Sequence, residues 1–322
     1  MRALMGADEL PAVSVIVAVY NAQDTIRDCI ESLLQLDYPG PQHELIVVDN
    51  GSRDATRSIL ETYGAKLTIR HEPTRGPAAA RNTGLRGAGG ALIAFTDADC
   101  VVDRQWLHRL VTPLRDPTVG VVGGRNLARR PCNRIAEFGE RIHDHRRAIQ
   151  DLVPPYATTV NWASRRTVLD EVGAFNPSLL RGSDVDLAYR LLQRGYRLVY
   201  EPTAVIYHRN RSTVWGLMHE GYRHGYHGVR VHELHARFLS TFRPRCAARG
   251  PRYVVSVLRR GVGYPFRFPS RTAVVGRHEL LWAWFFDLGK SAGRLHGTLA
   301  ALARPRRGEA KADPAQRPPT GA

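Results

Sequence analysis

The sequence predicts an α/β fold: a mostly parallel sheet flanked by helices, followed by a C-terminal helical extension. Three observations predict it. Apolar, β-branched runs alternate with helix-periodic runs over the first two hundred residues, and the connections between them are short. The strand-like runs are apolar almost throughout, as strands covered on both faces are. Polar and acidic residues collect where those runs end, which is where open parallel sheets bind ligands.

In order along the chain, "VSVIVAV" (13–19) reads as the first strand. In "NAQDTIRDCIESLLQL", Ile26, Ile30, Leu33 and Leu34 share one helical face, with Asp24 as the expected N-cap. "ELIVVD" (44–49) reads as the second strand, "RDATRSILETY" as the second helix and "KLTIR" (66–70) as the third strand. A helix of small residues, "GPAAARNTGLRGA" (76–88), precedes the fourth strand, "ALIAF" (91–95). Further on, Leu187, Leu191 and Leu192 define the buried face of a helix with Asp184 and Asp186 in its first turn, and Ser183 and Asp184 as candidate caps.

At 322 residues and 43% hydrophobic content, the chain can bury a large core. No uncharged stretch reaches the roughly 18 residues of a membrane-spanning helix, and Asp8 and Glu9 interrupt any signal-like start, so a cytoplasmic protein is expected. Cys29, Cys100, Cys132 and Cys246 lack zinc-ribbon or disulfide spacing and are expected as reduced thiols. The net charge of +16 is uneven: residues 1–100 hold 9 Lys/Arg against 13 Asp/Glu, whereas residues 204–322 hold 21 against 6. That basic last third suits an anionic partner such as a membrane surface, a nucleic acid or a phosphorylated substrate, and an Arg-rich proteome would produce the same bias.

The strand ends carry the candidate chemistry. They read "AVYN" (18–21), "DNGSRDAT" (49–56) and "TDADC" (96–100), with neither a Walker A loop nor a G-x-G-x-x-G turn. Phosphates bound here would need another source of positive charge. Asp97 and Asp99, one residue apart at the end of a buried strand, could clamp Mg2+ or Mn2+ while substrate phosphate oxygens fill the other positions. Asp184 could act as a general base if it lies within reach of an acceptor hydroxyl.

The ordered segments "VSVIVAVYN", "ELIVVDNGSRDAT", "RGPAAARNTGL", "ALIAFTDADC", "RRTVLDEVGAFNPSLLRGSDVDLAYRLLQRGYRLVYEP" and "VIYHRNRST" resemble the family 2 glycosyltransferases of the GT-A (Rossmann-like) fold over residues 12–215. The resemblance implies an inverting transferase that moves a sugar from a nucleoside-diphosphate sugar, expected to be a UDP-sugar, to an acceptor hydroxyl on a cell-envelope, lipid-linked or small molecule. It implies that Asp49 contacts the nucleobase, and that Ala18, Tyr20, Asn21, Arg75 and Arg81 line the nucleotide pocket. Asp97 and Asp99 match the pair that binds the ribose and the metal-diphosphate, Asp184 matches the general base, and His208 matches a histidine that completes the metal shell. Trp162 and Asp186 are the implied acceptor contacts. The chain departs from the family pattern twice: Ala18 replaces the proline of the first strand end, and Ser183 stands where a glutamate precedes the base.

The implied division is a catalytic domain over 10–210, a basic aromatic-rich helical extension over 211–303 and a disordered tail over 304–322. Five histidines between 219 and 235 lack the convergent spacing of a metal site. "HELLWAWFFDLGKSAGRLHGTLAALARPRR" (278–307) is too charged to span a bilayer and fits either an interfacial helix on an anionic membrane, at the inner face of the cell membrane, or one packed on the catalytic domain. Two other functions remain open from sequence. One is a nucleotidyltransferase on a related sheet, and the other is a module that binds anionic membrane or nucleic acid, with nucleic acid the less expected partner.

Overall fold

The computed structural model describes residues 10–39, 42–242 and 277–303. The expected tail, 304–322, and the middle of the extension, 243–276, lie outside the described residues.

Eight strands form one sheet in the order β3-β2-β1-β4-β7-β6-β8-β5. The first half is the parallel sheet that the alternating pattern predicts: β1 (Val13–Val19), β2 (His43–Asp49), β3 (Thr68–His71) and β4 (Leu92–Asp97). Beyond β4 the sheet turns mixed. β7 (Asn161–Arg165) lies antiparallel between β4 and β6 (Val119–Ala128). β8 (Arg197–His208) runs parallel to β6, and the three-residue β5 (Cys100–Val102) closes the edge antiparallel to β8. β5 and β7 are only three and five residues long, and the β6–β8 pairing shifts register twice, so the mixed half carries less local signal than the continuous runs of the parallel half.

Two apolar layers cover the sheet. On one face, Ile26, Cys29, Ile30 and Leu33 of α1 (Ile26–Leu34) pack on Val13, Val15, Val17 and Val19, and Trp106, Leu107 and Leu110 of α4 (Trp106–Val111) extend the layer. On the other face, Ile16, Ile46 and Phe95 pack under α3 (Pro77–Gly87) and against Trp162, Phe175 and Leu187. The small residues of α3 let it lie directly on the sheet: a Cβ at Gly84 would sit 2.4 Å from Ile16 Cγ2. Helix α2 (Thr56–Glu61) is short, and α5 (Arg134–Ile142) is capped by the Asn133 side chain, which accepts from Ile135 N and Ala136 N.

Three local expectations are corrected. Asp24 is not the cap of α1: Thr25 N and Ile26 N both donate to Ala22 O, so backbone closes the first turn. That segment is positioned from afar, by Ala22 N donating to Thr56 Oγ1 and Gln23 N donating to Asp54 Oδ2. β3 starts at Thr68 because Lys66 belongs to a 3-10 turn. Helix α7 (Ser183–Gln193) is preceded by Gly182 in a left-handed conformation (φ 78°, ψ 14°), so Ser183 and Asp184 are helical residues and not caps. Helix α6 (Arg166–Val172) lies between β7 and this segment.

After β8, α8 (Val214–Leu234) and α9 (Ala236–Phe242) pack through Val231 and Leu239 on Tyr189 of α7, and α10 (Arg277–Leu302) packs along α8 in the same direction. The two backbones nearly touch. A Cβ at Gly221 or Gly225 would fall 2.1 and 2.0 Å from the Phe286 and Lys290 carbonyl oxygens, and one at Gly289 or Gly293 would fall 2.0 Å from those of Met218 and Tyr222. Among the described residues, no helix is long and apolar enough to cross a membrane.

Candidate active site

Strand register assembles the site at the carboxyl edge of the parallel half. Ala18 pairs with Asp97 across β1 and β4, and Val19 pairs with Asp49 across β1 and β2, so the three strand ends open on one crevice where the order reverses. On the first side, Asp49 is buried and its Oδ1 accepts from Ser52 N at 3.0 Å. Asn21 adopts φ 49° there, its N–H donating to Ser52 Oγ and its Oδ1 accepting from Arg53 N. Asn50 donates to the Glu72 and Thr74 carbonyls and accepts from Gly76 N, which fixes the loop carrying Arg75. The Arg75 guanidinium then lies over the exposed Tyr20 ring, 5.4 Å from its centre. Ala18, Tyr20, Asn21, Asp49 and Arg75 are thus brought together.

At the end of β4, Asp97 Oδ1 accepts from Arg81 Nη2 at 3.0 Å. Arg81 is buried and its guanidinium also lies over Phe175, so it is turned inward to balance Asp97 and is not displayed to a diphosphate. Among the described residues, Asp99 has no arginine partner. Its Oδ1 faces His208 Nε2 at 3.4 Å, because β5 pairs Cys100 with His208. Asn210 fixes that imidazole: its Nδ2 donates to the Ala136 carbonyl, so its Oδ1 accepts from His208 Nδ1 at 2.7 Å, and Nε2 is left directed at the carboxylate. Asp99 remains open to solvent on one side. The protein around it pushes its carboxyl above the usual range, as does Asp97, against the opposing pull of His208.

An oxygen and a nitrogen donor facing each other beside a second carboxylate suit a divalent cation such as Mn2+ or Mg2+. Asp99, Cys100 and His208 all lie close enough for one ion, but burial and both neighbouring carboxylates push the Cys100 thiol far up, which leaves it a poor ligand. Asp99 and His208 are the fitting donors, with Asp97 beside them.

Asp184 stands in the first turn of α7, where Oδ1 accepts from Val185 N at 2.9 Å. Its charge is felt by Tyr156 and Arg181. The two expected acceptor contacts are not presented to a ligand. Trp162 is 2% exposed, its ring packed at a tilt in the core against Phe95 and Phe175. Asp186 is 4% exposed; it accepts from Arg190 Nε and Nη2 at 3.1 and 2.9 Å and bonds His235 Nε2 at 2.8 Å. Burial pushes its carboxyl up, yet the His235 bond and the Arg190 charge hold it below the usual range. Asp186 therefore ties α7 to the end of α8. Ser183 is buried as well and cannot replace the glutamate expected before the base.

Sequence reasoning missed a second layer behind His208. The His143 ring lies 4.9 Å from the His208 ring, and His143 Nε2 is 3.8 Å from Glu220 Oε1 on α8. Glu220 is also 3.8 Å from His224 Nε2 and 3.7 Å from Arg211 Nε. One signal was available: Glu220 is the only acid between Glu201 and Glu233.

The curled mixed sheet with an acidic strand end at its crevice is the GT-A class of fold. A mannosyltransferase from Pyrobaculum calidifontis, solved with GDP-Man and Mn2+, superposes with a TM-score of 0.61 at 22% identity, covering 90% of this chain and 88% of that one. The family model described as glycosyl transferase family 2 matches residues 14–173, and the chain belongs to that family. It is 34% identical over 197 residues to glycosyltransferase AglE of Haloferax volcanii, covering 59% of this chain and 64% of the relative. It is also 34% identical over 211 residues to the pre-mycofactocin glycosyltransferase of Mycobacterium tuberculosis, covering 62% and 43%. The match thus spans less than two thirds of either relative's length.

Proposed function

We propose that this protein is an inverting glycosyltransferase that moves a sugar from a nucleoside-diphosphate sugar to an acceptor hydroxyl, using residues 10–210 as its catalytic unit. The observation that carries the reading is the Asp99 and His208 pair, 3.4 Å apart beside Asp97 at the crevice. Asp49, Tyr20, Asn21 and Arg75 would hold the nucleoside, and Asp97 would meet the ribose with the oxygen that Arg81 leaves free. A divalent cation held by Asp99 and His208 would supply positive charge to the diphosphate as it leaves. The neighbour solved with GDP-Man and Mn2+ makes that nucleotide and ion, with UDP, the first ligands to try.

Asp184 would accept the acceptor proton as the hydroxyl oxygen bonds to the anomeric carbon and the carbon–oxygen bond to the diphosphate breaks, in one displacement with inversion. The basic extension, residues 211–303, would face the acceptor, and its exposed Leu281, Leu299 and Leu302 fit peripheral contact with an anionic membrane.

The test incubates the full chain with UDP-, GDP- and dTDP-sugars, Mn2+ and candidate acceptors. Nucleoside diphosphate should be released, metal-dependently, with an inverted anomeric centre in the product. Release of pyrophosphate would favour the nucleotidyltransferase reading, and a retained configuration would refute the single displacement.

A further inference from the structure

Beside Asp184, the fold gathers more positive charge than it neutralises. Arg181 precedes Gly182 at the start of α7, and that turn is pressed on α8: a Cβ at Gly182 would come 2.9 Å from Val231 Cγ2. Upstream on α8, Arg211 Nε of the preceding loop reaches Glu220 Oε2 at 3.7 Å, one turn from Arg223, and the charges of Arg223 and Arg211 act on Arg181. Burial and the two neighbouring guanidinium charges, with Arg223 the larger, hold Arg181 below the usual arginine range, and burial and Arg211 do the same to Arg223. His227 on the same helix is pushed down by burial and by Arg181 and Arg223.

Among the described residues, one carboxylate serves this group, and it is already engaged. Glu220 Oε1 faces His143 and His224, and Oε2 faces Arg211. Among the described residues, Arg181 and Arg223 have no carboxylate within ion-pair distance, and Asp184 acts on Arg181 only through space. Half-buried guanidiniums held together without anionic partners carry an electrostatic cost that a bound anion removes. Their forked N–H groups match phosphoryl oxygens in shape and charge.

The cluster adjoins the base on one side. On the other it continues through Glu220, His143 and His208 to Asp99. Arg75 and Arg81 lie elsewhere, over Tyr20 and against Asp97. We propose that Arg181, Arg211 and Arg223 form an acceptor subsite for a phosphoryl group, so that the acceptor is a hydroxyl compound carrying a phosphate ester. The subsite would hold that phosphate while the hydroxyl gives its proton to Asp184 and its oxygen bonds the anomeric carbon. The assignment rests on the glycosyltransferase reading for its role in catalysis, and the anion site itself can be measured apart from that reading.

The experiment uses the full chain with Mn2+ and saturating UDP or GDP, so that the donor side is filled. Thermal shift is followed on titration with glycerol 3-phosphate or glycerol, and flotation with phosphatidylcholine vesicles with or without phosphatidic acid. Glycerol 3-phosphate should stabilise the protein and glycerol should not. The Arg181→Gln/Arg223→Gln variant should bind the phosphoester at least tenfold more weakly, the order expected for loss of charge-assisted hydrogen bonds. It should keep its nucleotide response within about twofold, and melt no lower than the parent because repulsion is relieved. Arg197→Gln, an exposed pair with Asp116 away from the cluster, should change none of these. Arginine-dependent flotation on phosphatidic acid would identify a lipid headgroup as the source of the phosphate, and its absence alongside glycerol 3-phosphate binding would identify a soluble phosphoester.

Equal stabilisation by glycerol, or undiminished phosphoester binding by the double variant, would overturn the subsite. Parallel loss of nucleotide binding would also overturn it, assigning the arginines to the donor side. A parent that ignores every nucleotide would refute the glycosyltransferase reading, while the phosphoester titration would still decide the anion site.

Discussion

Replacing Asp99 by asparagine should move the free and the ligand-bound protein in opposite directions. In the free protein, the surrounding protein and Asp97 push the Asp99 carboxyl upward. An acid with a raised folded-state pKa favours the fold below its unfolded pKa, and that contribution is lost as pH rises through the folded value. At neutral pH its charge therefore opposes folding, and Asp99→Asn should melt no lower than the parent. With Mn2+ and a nucleoside diphosphate present the order reverses, because the variant loses the carboxylate charge that faces His208 Nε2 at 3.4 Å. At a ligand concentration a hundredfold above Kd, binding stabilises the parent by about 2.7 kcal/mol, or roughly 5–10 °C in a domain of this size. The variant should shift by less than about 1 °C on the same scale. Thermal melts at neutral pH, with and without Mn2+ and with UDP or GDP, measure all four states. An Asp99→Asn variant with the parent's full metal-dependent shift would refute the assignment of Asp99 as a ligand.

Three further outcomes follow from the packing. His145 is buried and His143 largely enclosed, and desolvation holds both neutral, with pKa values lowered from 6.5 to about 4 and about 3. Stability should therefore be full above pH 6.5 and fall by up to about 2.7 kcal/mol per pH unit below it as the unfolded chain takes up two protons; a pH series of denaturant melts that stays flat from 6.5 to 5 would contradict this. Glu220, lowered to about 2 because its histidine and arginine contacts outweigh burial, acts in the same direction below pH 4.5. Asp186→Ala, which leaves Arg190 and His235 unpaired, should cost about 3–5 kcal/mol in urea unfolding, with the KM for acceptor unchanged in the folded fraction. Gly225→Ala should cost about 1–3 kcal/mol, since the added carbon would meet the Lys290 carbonyl, and a neutral result would show that α8 and α10 separate without penalty.

How much the sequence disclosed depends on how local each interaction is. β1, β2 and β4 were legible because each is a continuous apolar run, Asp49 and Asp97 because each ends such a run, and Asp99 because it stands two residues beyond one. Arg81 looked like a phosphate ligand, yet its helix faces the end of β4, where Asp97 claims it. Trp162 and Asp186 were expected as acceptor contacts, but long-range packing buries both. His208 could be matched to a role, while the partners that orient it, Asn210 and the Ala136 carbonyl, belong to a register no local pattern encodes. The arginine group beside Asp184 comes from a turn, a loop and a helix, and only the contact of α7 with α8 joins them.

The central claim is a division of labour, with the leaving group held at Asp97, Asp99 and His208 and the proton transferred at Asp184. The most direct test is Asp184→Asn, measured for both nucleotide affinity and turnover with the donor and acceptor that the sugar-nucleotide panel identifies. Affinity for the Mn2+-nucleotide should stay within about twofold while kcat falls by about 10²-fold or more. Near-parental turnover, or a loss confined to nucleotide binding, would contradict the account.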